Sequence, residues 1–538
     1  MRGAFLVILG FFIVSTAPSV ADAQNATTPK YTRQSLHEFV KDQQKLLSLI
    51  RGIYVMKQRD SAPKDSADYR RSWEYWAAIH GYPGINSPDG TVQMNKDAIV
   101  ARFPADAPLY AGFFTGLSDM TPPATPAGLA DKVWATCEHG TEYFLPWHRM
   151  YLYFFERVLR EASGDPSFSL PYWDYTDPTV DAAQPSDSPA HIPAIFAVPQ
   201  LQTSTGNIDN PLFDARRTAG FGGSVQIDTV ATDVDSTLNV GDFMEFQKTL
   251  EEGLHGFIHC AVGNRCLAPY IGLVPFAGND PIFWVHHANI DRLWDCWSVF
   301  HGIASNPLEN PDWLKQEYNF VDENGNPVSM KVAELFDPKG RIDYGYDNTN
   351  NCMRSGNPPS TNLMVAAGAT VSTSEVGRSE QIVVADTNQL IRLAATSDAS
   401  VDRLMAVGRP NTVQPARAKL IIKDVMVANE PGASVNVFLS DAGGTTKAFV
   451  GNLSFFAAFQ SAHHHGGQDY VFDVSKALQE LYAQDSASTS FNVLLAASSG
   501  VVGGDSNAEM TDRFKNAGLS IGSISLVVET SQVDFNLK

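Results

Sequence analysis

The chain has 538 residues, of which 44% are hydrophobic and 11% aromatic, enough apolar material for two or three packed domains and too much for a disordered chain. Its 59 acidic and 39 basic residues leave a formal charge of −20, which argues against nucleic acid and anionic membranes as main partners. Five cysteines in this length are too few for a disulfide scaffold.

The first 23 residues are typical of a secretory signal peptide. Arg2 supplies the positive charge, residues 5–14 form an apolar run too short to span a bilayer, and residues 21–23 have the small-residue pattern of a cleavage site. We therefore expect a secreted or periplasmic protein whose mature chain starts near Gln24. The alternative is an N-terminal membrane anchor. No later segment is apolar enough for a membrane helix, so we expect no membrane association once the signal is removed.

Four aromatic-rich segments in the first 350 residues have helical periodicity. They are residues 70–80, 147–162, 242–260 and 280–300. Gly253 and Gly256 interrupt the third segment, and Pro281 near the start of the fourth is a favoured first-turn residue. Long loops rich in Pro, Gly, Asp and Ser connect them. The pattern predicts a mainly α domain, built as a four-helix bundle with long loops.

The composition changes after residue 350. Residues 355–380 are small and polar, and we predict that they form a linker. Short β-type runs with Gly, Asn, Asp and Ser breaks follow, which predicts an all-β sandwich or jelly roll. The expected domains are residues 1–23 for the signal, 24–354 for the helical domain, 355–380 for the linker and 381–538 for the β domain.

The histidines in and beside the four helical segments form two sets of three. His255 and His259 are four residues apart, so a helix places both imidazoles on one face, where they can reach one metal ion. His287 precedes Asp291 by four residues, and we expect that carboxylate to accept a hydrogen bond from the distal ring nitrogen and to fix its tautomer. The two sets are His80, His139 and His148, and His255, His259 and His287.

The ligand type narrows the choice of metal. Neutral imidazoles suit copper, zinc, iron or nickel. A carboxylate di-iron bundle needs two Glu-x-x-His motifs, and the sequence has one, from Glu252 to His255. Zinc hydrolysis is a weaker alternative, because H-E-x-x-H is absent and a single zinc ion would leave three histidines unexplained.

Two long motifs resemble those of the tyrosinase and polyphenol oxidase (catechol oxidase) family of type-3 dicopper proteins. The first is IHGYP at His80 followed by CEHGTEYFLPWHRMYLYFFE, and the second is LEEGLHGFIHC followed by NDPIFWVHHANIDRLWDCW. The resemblance continues through residues 311–337 and through Tyr344-Gly-Tyr346, and more weakly through the C-terminal domain. It departs from the plant enzymes at the N-terminus, where a secretory signal stands in place of a transit peptide.

The resemblance implies two copper ions, one bound by each histidine set, with O₂ as co-substrate and small phenols as substrates. In the pair His286 and His287, the family pattern favours the second as ligand and leaves the first as a support. Cys137 has the Cys-x-His spacing of family members with a thioether bond, so we expect a link to His139. The sequence does not determine how the other four cysteines pair. In an exported protein, Cys260–Cys266 and Cys296–Cys352 are two possible disulfides.

The resemblance also implies the reaction, oxidation of o-diphenols to o-quinones. Family members that hydroxylate monophenols well use an Asn directly after the first ligand of the second copper, with a Glu that holds a water beside it. Here Gly256 occupies the Asn position and Glu251 aligns with the Glu, so we expect weak or slow monophenol hydroxylation. Val274 falls at the family's gate position, where many plant enzymes have Phe, so we expect a more open mouth. Phe283 is a candidate wall beside His287.

The C-terminal domain resembles the cap that covers the site in latent family members. It implies a latent proenzyme that a protease activates by cutting residues 355–380. The alternatives are a tyrosinase with full monophenolase activity, an o-aminophenol oxidase and, outside enzymes, an O₂ carrier.

Overall fold

The computed structural model describes residues 29–81, 133–177, 188–204, 206–268, 270–303, 307–308, 310–336, 342–353, 370–395, 404, 407, 416–456, 467–484 and 490–532. The predicted signal peptide and the first part of the predicted linker lie outside these residues. Within the described ranges, no helix is long and apolar enough to cross a membrane.

The described chain begins with a helical domain. Its helices are α1 (Leu36–Phe39), α2 (Gln43–Gln58), α3 (Ala67–Arg70), α4 (Trp73–His80), α5 (Phe144–Ser163), α6 (Asp235–Leu238), α7 (Phe243–Leu250), α8 (Gly256–Val262), α9 (Pro281–His301) and α10 (Pro311–Lys315). A π-helical turn over Glu251–His255 joins α7 to α8. Short 3-10 helices lie at Arg59–Ser61, Ala194–Phe196, Val230–Thr232, Tyr270–Gly272, Val274–Asn279 and Val332–Leu335. Paired strands are β1 (Tyr31–Arg33) with β6 (Tyr344–Tyr346), β2 (Gln200–Thr203) with β3 (Gly206–Asp209), and β4 (Glu317–Val321) with β5 (Pro327–Lys331).

All four predicted helical segments contain helix, and their ends follow from local chemistry. The side chain of Asp280 accepts a hydrogen bond from the Ile282 amide at the start of α9, where Pro281 takes the first position. Gly164 and Gly302 end α5 and α9 in the left-handed conformation. The third segment is divided at the π-helical turn, where Gly253 leaves helical geometry with φ −96° and ψ −105°.

The helix α2 was not among the sequence predictions, although it has 16 residues. It packs against α5, and a Cβ atom on Gly52 would lie 2.7 Å from Leu159 Cδ1, so the two helices approach closely at this glycine. The scaffold of the helical domain therefore includes one more long helix than the four expected.

A buried ion network joins β1 and β6 to α5 and α9. Arg33 Nε donates to Glu156 at 2.8 Å, and its Nη1 donates to Asp291 at 3.2 Å. Asp291 also accepts hydrogen bonds from Arg149, Tyr344 and Tyr346. Burial alone would raise the pKa of Asp291, but Arg149 and Arg33 lower it, so the carboxylate stays ionised. The network closes the helical domain at its first and last strands.

The C-terminal domain, which we call the cap (residues 370–532), contains two antiparallel sheets. The strands are β7 (Thr370–Val384), β8 (Asn388–Arg392), β9 (Ala394–Ala395), β10 (Ala416–Met426), β11 (Ser434–Asp441), β12 (Lys447–Leu453), β13 (Gln468–Asp473), β14 (Phe491–Ser498) and β15 (Leu519–Gln532). Their orders are β13-β10-β15-β7-β9 and β12-β11-β14-β8. One hydrophobic core contains residues of both sheets, such as Leu420 and Val437, as expected for a sandwich.

Two sequence predictions for the cap were wrong. The domain is not all-β, since it contains helices α11 (Ser475–Gln484) and α12 (Ala508–Lys515). Helix α11 buries Ala477, Leu478, Leu481 and Tyr482, a helical spacing in a short amphipathic segment. In addition, β7 starts at Thr370, inside the segment predicted as a linker, because its Ser, Thr and Val residues pair along β15 from Thr370 to Val384.

The cap packs on the helical domain mainly near α7 and the π-helical turn. Thr249 Oγ1 and Val471 exchange two hydrogen bonds of 3.1 Å, since the hydroxyl donates to the carbonyl and accepts from the amide. Ion pairs flank this contact: Lys419 with Glu245 at 2.9 Å, and Lys476 with Asp235 at 2.7 Å.

We expect Asp291→Asn to destabilise the helical domain by about 3 kcal/mol, because it leaves Arg33 and Arg149 facing a neutral group in a buried site. Denaturation followed by tryptophan fluorescence measures this domain alone, since all nine tryptophans lie in it. The matched control is Asp312→Asn, which removes the charge of an exposed partner of Lys315. A loss no larger than that of the control would contradict the assigned role.

Candidate metal centre

The structure brings the predicted histidines together as two buried groups. In the first group, the end of α4 supplies His80, the loop before α5 supplies His139, and α5 supplies His148. Ring nitrogens of these three and Cys137 Sγ lie within 4.8 Å of one another. In the second group the same limit holds for one ring nitrogen each of His255, His259, His286 and His287.

The two groups face each other. The rings of His148 and His287 stack with centroids 4.4 Å apart and planes 11° apart. The rings of His139 and His255 lie 6.0 Å apart. The two sets therefore belong to one dinuclear-type site and not to two separate sites.

Helix geometry orients one histidine in each group. His148 Nδ1 lies 2.8 Å from the carbonyl of Phe144, and His255 Nδ1 lies 3.0 Å from the carbonyl of Glu251, four residues earlier in each case. A carbonyl can only accept, so Nδ1 carries the proton and Nε2 keeps its lone pair for a metal. Glu251 and His255 are the first and last residues of the π-helical turn, so this contact lies within the turn.

A single short segment orients a second histidine in each group. His259 Nδ1 lies 2.7 Å from the carbonyl of Ile271, and His80 Nδ1 lies 2.9 Å from the carbonyl of Val274. These carbonyls belong to the two 3-10 helices before α9. The segment 270–279 thus holds ligands of both groups in the tautomer that metal binding needs.

The ring nitrogens that do not contact a carbonyl have the chemistry that a bound metal ion requires. Nε2 of His80 and of His255 is buried and has no hydrogen-bond partner among the described residues, which is costly unless an ion fills the space. Burial lowers the pKa of both rings to about 3, and it lowers the pKa of His148, His259 and His287 well below the ordinary value. The imidazoles are therefore neutral at neutral pH, as copper ligands must be.

The expected role of Asp291 was wrong. Its carboxylate accepts from Arg33, Arg149, Tyr344 and Tyr346, whereas no contact with His287 is formed. Nδ1 of His287 has no partner within the described chain. The charge of Asp291 binds the two arginines of the network. The i,i+4 spacing from His287 is compatible with either role, so it did not show which one Asp291 has.

His286 lies beside the second group and is held by a residue that the sequence analysis missed. Its Nδ1 lies 2.8 Å from the hydroxyl of Tyr175, which is fully buried. No spacing rule connects residues so far apart in the chain. Nε2 of His286 is buried and has no hydrogen-bond partner in the described part of the chain. The supporting role of His286 and the choice of His287 as the ligand therefore both stay predictions.

Cys137 is a free thiol at the edge of the His139 ring. Its Sγ lies 3.4 Å from Nδ1 and 3.8 Å from Nε2 of that ring, and 3.4 Å from Nε2 of His148. Burial raises the pKa of the Cys137 thiol. The other four cysteines form the disulfides Cys260–Cys266 and Cys296–Cys352, the two pairings named from the sequence.

Two phenylalanines complete the walls of the site. Phe283 lies between the groups, with its ring centroid 4.8 Å from His80 and 4.2 Å from His287. Phe456 comes from the cap and stacks on His259 with centroids 3.9 Å apart and planes 10° apart. Phe456 was not predicted from the sequence, because nothing in a short aromatic run after a strand indicates which domain it will contact.

The other three residues predicted for the site are Glu251, Gly256 and Val274, and the structure shows what surrounds each of them. Glu251 is buried, and its carboxylate accepts the Gly140 amide at 2.7 Å; burial raises its pKa, so it is not an ordinary solvated charge. Gly256 is the first residue of α8, on the side facing the cap. Val274 is buried, and its carbonyl contacts His80.

Two family models match the chain. The common central domain of tyrosinase matches residues 70–239 and 222–299, and the polyphenol oxidase middle domain matches residues 307–358. These regions contain both histidine groups and the strands that follow them.

Relatives and solved structures agree with the models. A tyrosinase, HcTyr1, from Hahella sp. (strain CCB-MM4) is 31% identical over 56% of this chain and 60% of its own length. A chloroplastic polyphenol oxidase, latent form, from Prunus armeniaca is 30% identical over 39% of this chain and 38% of its own length. The chain thus spans less than two thirds of either relative. A structure of recombinantly expressed latent aurone synthase (polyphenol oxidase) has the same fold, with a TM-score of 0.54 at 19% identity over 94% of this chain and 90% of that one.

The chain belongs to the tyrosinase and polyphenol oxidase family of type-3 copper proteins. The family binds two copper ions, and the two histidine groups fit one ion each. The same fold with a C-terminal β domain is shared with the latent aurone synthase structure.

We expect the copper-loaded protein to contain the predicted bond between Cys137 and His139. Mass spectrometry of the peptide that contains both residues should give a mass lower by two hydrogen atoms than the sequence requires, and thiol alkylation should fail. Cys137→Ser is the control and should give the unmodified mass. A free, alkylatable Cys137 in the copper-loaded protein would contradict the prediction.

Proposed function

We propose that this protein is a polyphenol oxidase that oxidises o-diphenols to o-quinones with O₂. The observation that carries the proposal is the pair of facing, buried imidazole groups, in which four Nδ1 atoms are held by backbone carbonyls. We assign His80, His139 and His148 to one copper ion and His255, His259 and His287 to the other. Bound copper supplies the electron transfer between phenol and O₂, while the protein supplies the geometry and substrate selection.

The proposed position of the substrate ring is the face of His259. Phe456 occupies this face in the closed protein, at 3.9 Å and nearly parallel. A phenol ring has the same shape and can stack there once Phe456 has left. Phe283 provides an apolar wall next to it, beside His287. Val274 is proposed as the gate, where a small side chain leaves more room than a ring.

The preference for diphenols follows from the groups near His255. A monophenol must lose a proton whose pKa is near 10 in tyrosine-like phenols, and this step needs a base. Gly256 has no side chain to hold a water, and burial raises the pKa of Glu251 well above its ordinary value, which favours its protonated form. The site therefore lacks a side chain at position 256 that could hold a water as the base, which supports the proposed weak reaction with monophenols.

The proposed latency rests on the cap. Phe456 is buried against His259, and His255 lies 5.8 Å from the same ring. Substrate and Phe456 cannot share this space. A protease that cuts between residues 355 and 369, ahead of β7, is the proposed activator. The network around Asp291 is complete without residues beyond Tyr346, so it would survive the cut.

We also propose that the protein is exported. Two disulfides are typical of an oxidising compartment, and the first 23 residues resemble a secretory signal. A reversible O₂ carrier is the second candidate function, because the closed cap excludes phenols from the site.

An assay with copper-loaded protein separates these functions. We expect uncleaved protein to be slow with catechol, cleaved protein to form quinone rapidly, and a monophenol to react weakly. Phe456→Ala should raise the uncleaved rate by about tenfold or more, because the ring that blocks His259 is gone. Phe438→Ala is the matched control, since this cap ring packs on Phe449 instead. No quinone from any form, with reversible O₂ uptake, would favour the carrier; rapid monophenol turnover would favour a tyrosinase.

Docking of the cap on the helical domain should weaken as pH rises. Glu252 is buried at the contact with the cap, and burial raises its pKa to about 8, with Lys248 opposing and Asp469 adding to the shift. A raised acid pKa means that docking takes up a proton, so docking is strongest at low pH and is lost as pH rises towards 8. The uncleaved rate, divided by the cleaved rate at each pH, should therefore rise between about pH 5 and about pH 8.

The control for this pH dependence is Glu252→Gln, which removes the titrating proton and keeps the shape. Its rate ratio should stay nearly constant over the same range. A wild-type ratio that falls with pH, or an unchanged slope in the variant, would contradict the assignment.

A further inference from the structure

Gly256 faces the cap, and the space there is too small for a side chain larger than a hydrogen atom. A Cβ atom at this position would lie 2.5 Å from Ser454 Oγ, 2.9 Å from Ser454 Cβ and 3.2 Å from Phe456 Cβ. Two of these distances are shorter than any ordinary carbon contact. Both neighbours belong to the short segment of the cap that carries the blocking ring, so a side chain on α8 and this segment cannot occupy their places together.

The segment Ser454–Phe456 cannot easily move aside, because hydrogen bonds hold it to the π-helical turn. The Ser454 amide donates to the carbonyl of Glu252 at 2.9 Å. The Tyr470 hydroxyl lies 3.3 Å from the same carbonyl and 3.2 Å from that of Ser454. Displacement of Ser454 would therefore break the contacts that place Phe456 over His259.

The helix itself does not require glycine at this position. Gly256 has φ −64° and ψ −33°, the ordinary right-handed helical conformation that every residue adopts. Alanine is the better helix former, so within α8 alone the substitution would be favourable. The contact with the cap is the feature in this structure that excludes a side chain.

We propose that Gly256 is the docking residue for the cap, and that its lack of a side chain is what allows Phe456 to close the site. The proposal rests on the proposed latency and names Gly256 as the residue on which that latency depends. Any side chain at 256 releases the cap without cleavage, and the space can be restored from the other side by removing the side chain of Ser454.

The test compares uncleaved wild type with three variants: Gly256→Ala, Gly256→Ala/Ser454→Gly and Gly223→Ala. The last is the matched control, because a Cβ there would meet only the Gly220 carbonyl, at 3.4 Å, among the described residues. Hydrogen exchange by mass spectrometry measures docking through the amides of Ser454 and Val471, which donate across the domain contact. Catechol oxidation before and after cleavage measures closure.

We expect Gly256→Ala to speed exchange at both amides, and to raise the uncleaved rate, by about tenfold or more. The double variant should return to slow exchange and low activity, and Gly223→Ala should match wild type. If cleavage activates wild type but Gly256→Ala stays closed with slow exchange, the inference is wrong. If Gly256→Ala speeds exchange but no form oxidises catechol even after cleavage, the inference holds and the proposed function fails.

Discussion

The hydrogen bonds between imidazole Nδ1 atoms and backbone carbonyls are the constraint on which the rest of this structure depends. They leave Nε2 of His80, His148, His255 and His259 available to a metal, and each requires a carbonyl at a defined place. Two carbonyls come from helix geometry and two from segment 270–279. The 3-10 helices before α9 carry the carbonyls that hold His80 and His259, and the π-helical turn carries the carbonyl that holds His255.

The same π-helical turn connects the metal centre to its closure. Its carbonyl at Glu251 orients His255, while its carbonyl at Glu252 accepts the Ser454 amide of the cap. Gly256 follows directly and leaves room for that segment. Ligand position and access are thus set within six residues. The expected preference for diphenols depends on the lack of an asparagine at position 256. Because a side chain there also meets the cap, Gly256→Asn tests this preference only on cleaved protein.

The sequence predicts the features that local chemistry determines. The i,i+4 pair His255 and His259 and the long aromatic motifs placed both histidine groups and the helices around them, and the β runs predicted the sandwich. Contacts between distant segments were beyond it. Tyr175, Phe456 and the Arg33 network follow from tertiary packing, and Asp291 was assigned to the wrong partner because helical spacing shows which residues share a face but not which neighbour reaches them first.

Copper content of variants tests the central claim most directly. Metal analysis of the purified, copper-loaded protein should give two ions per chain for wild type and for His286→Ala, and one for His287→Ala, since removal of one ligand in the second group should empty that group alone. One copper in wild type, or retention of two in His287→Ala with loss in His286→Ala, would contradict the assignment of the two histidine groups.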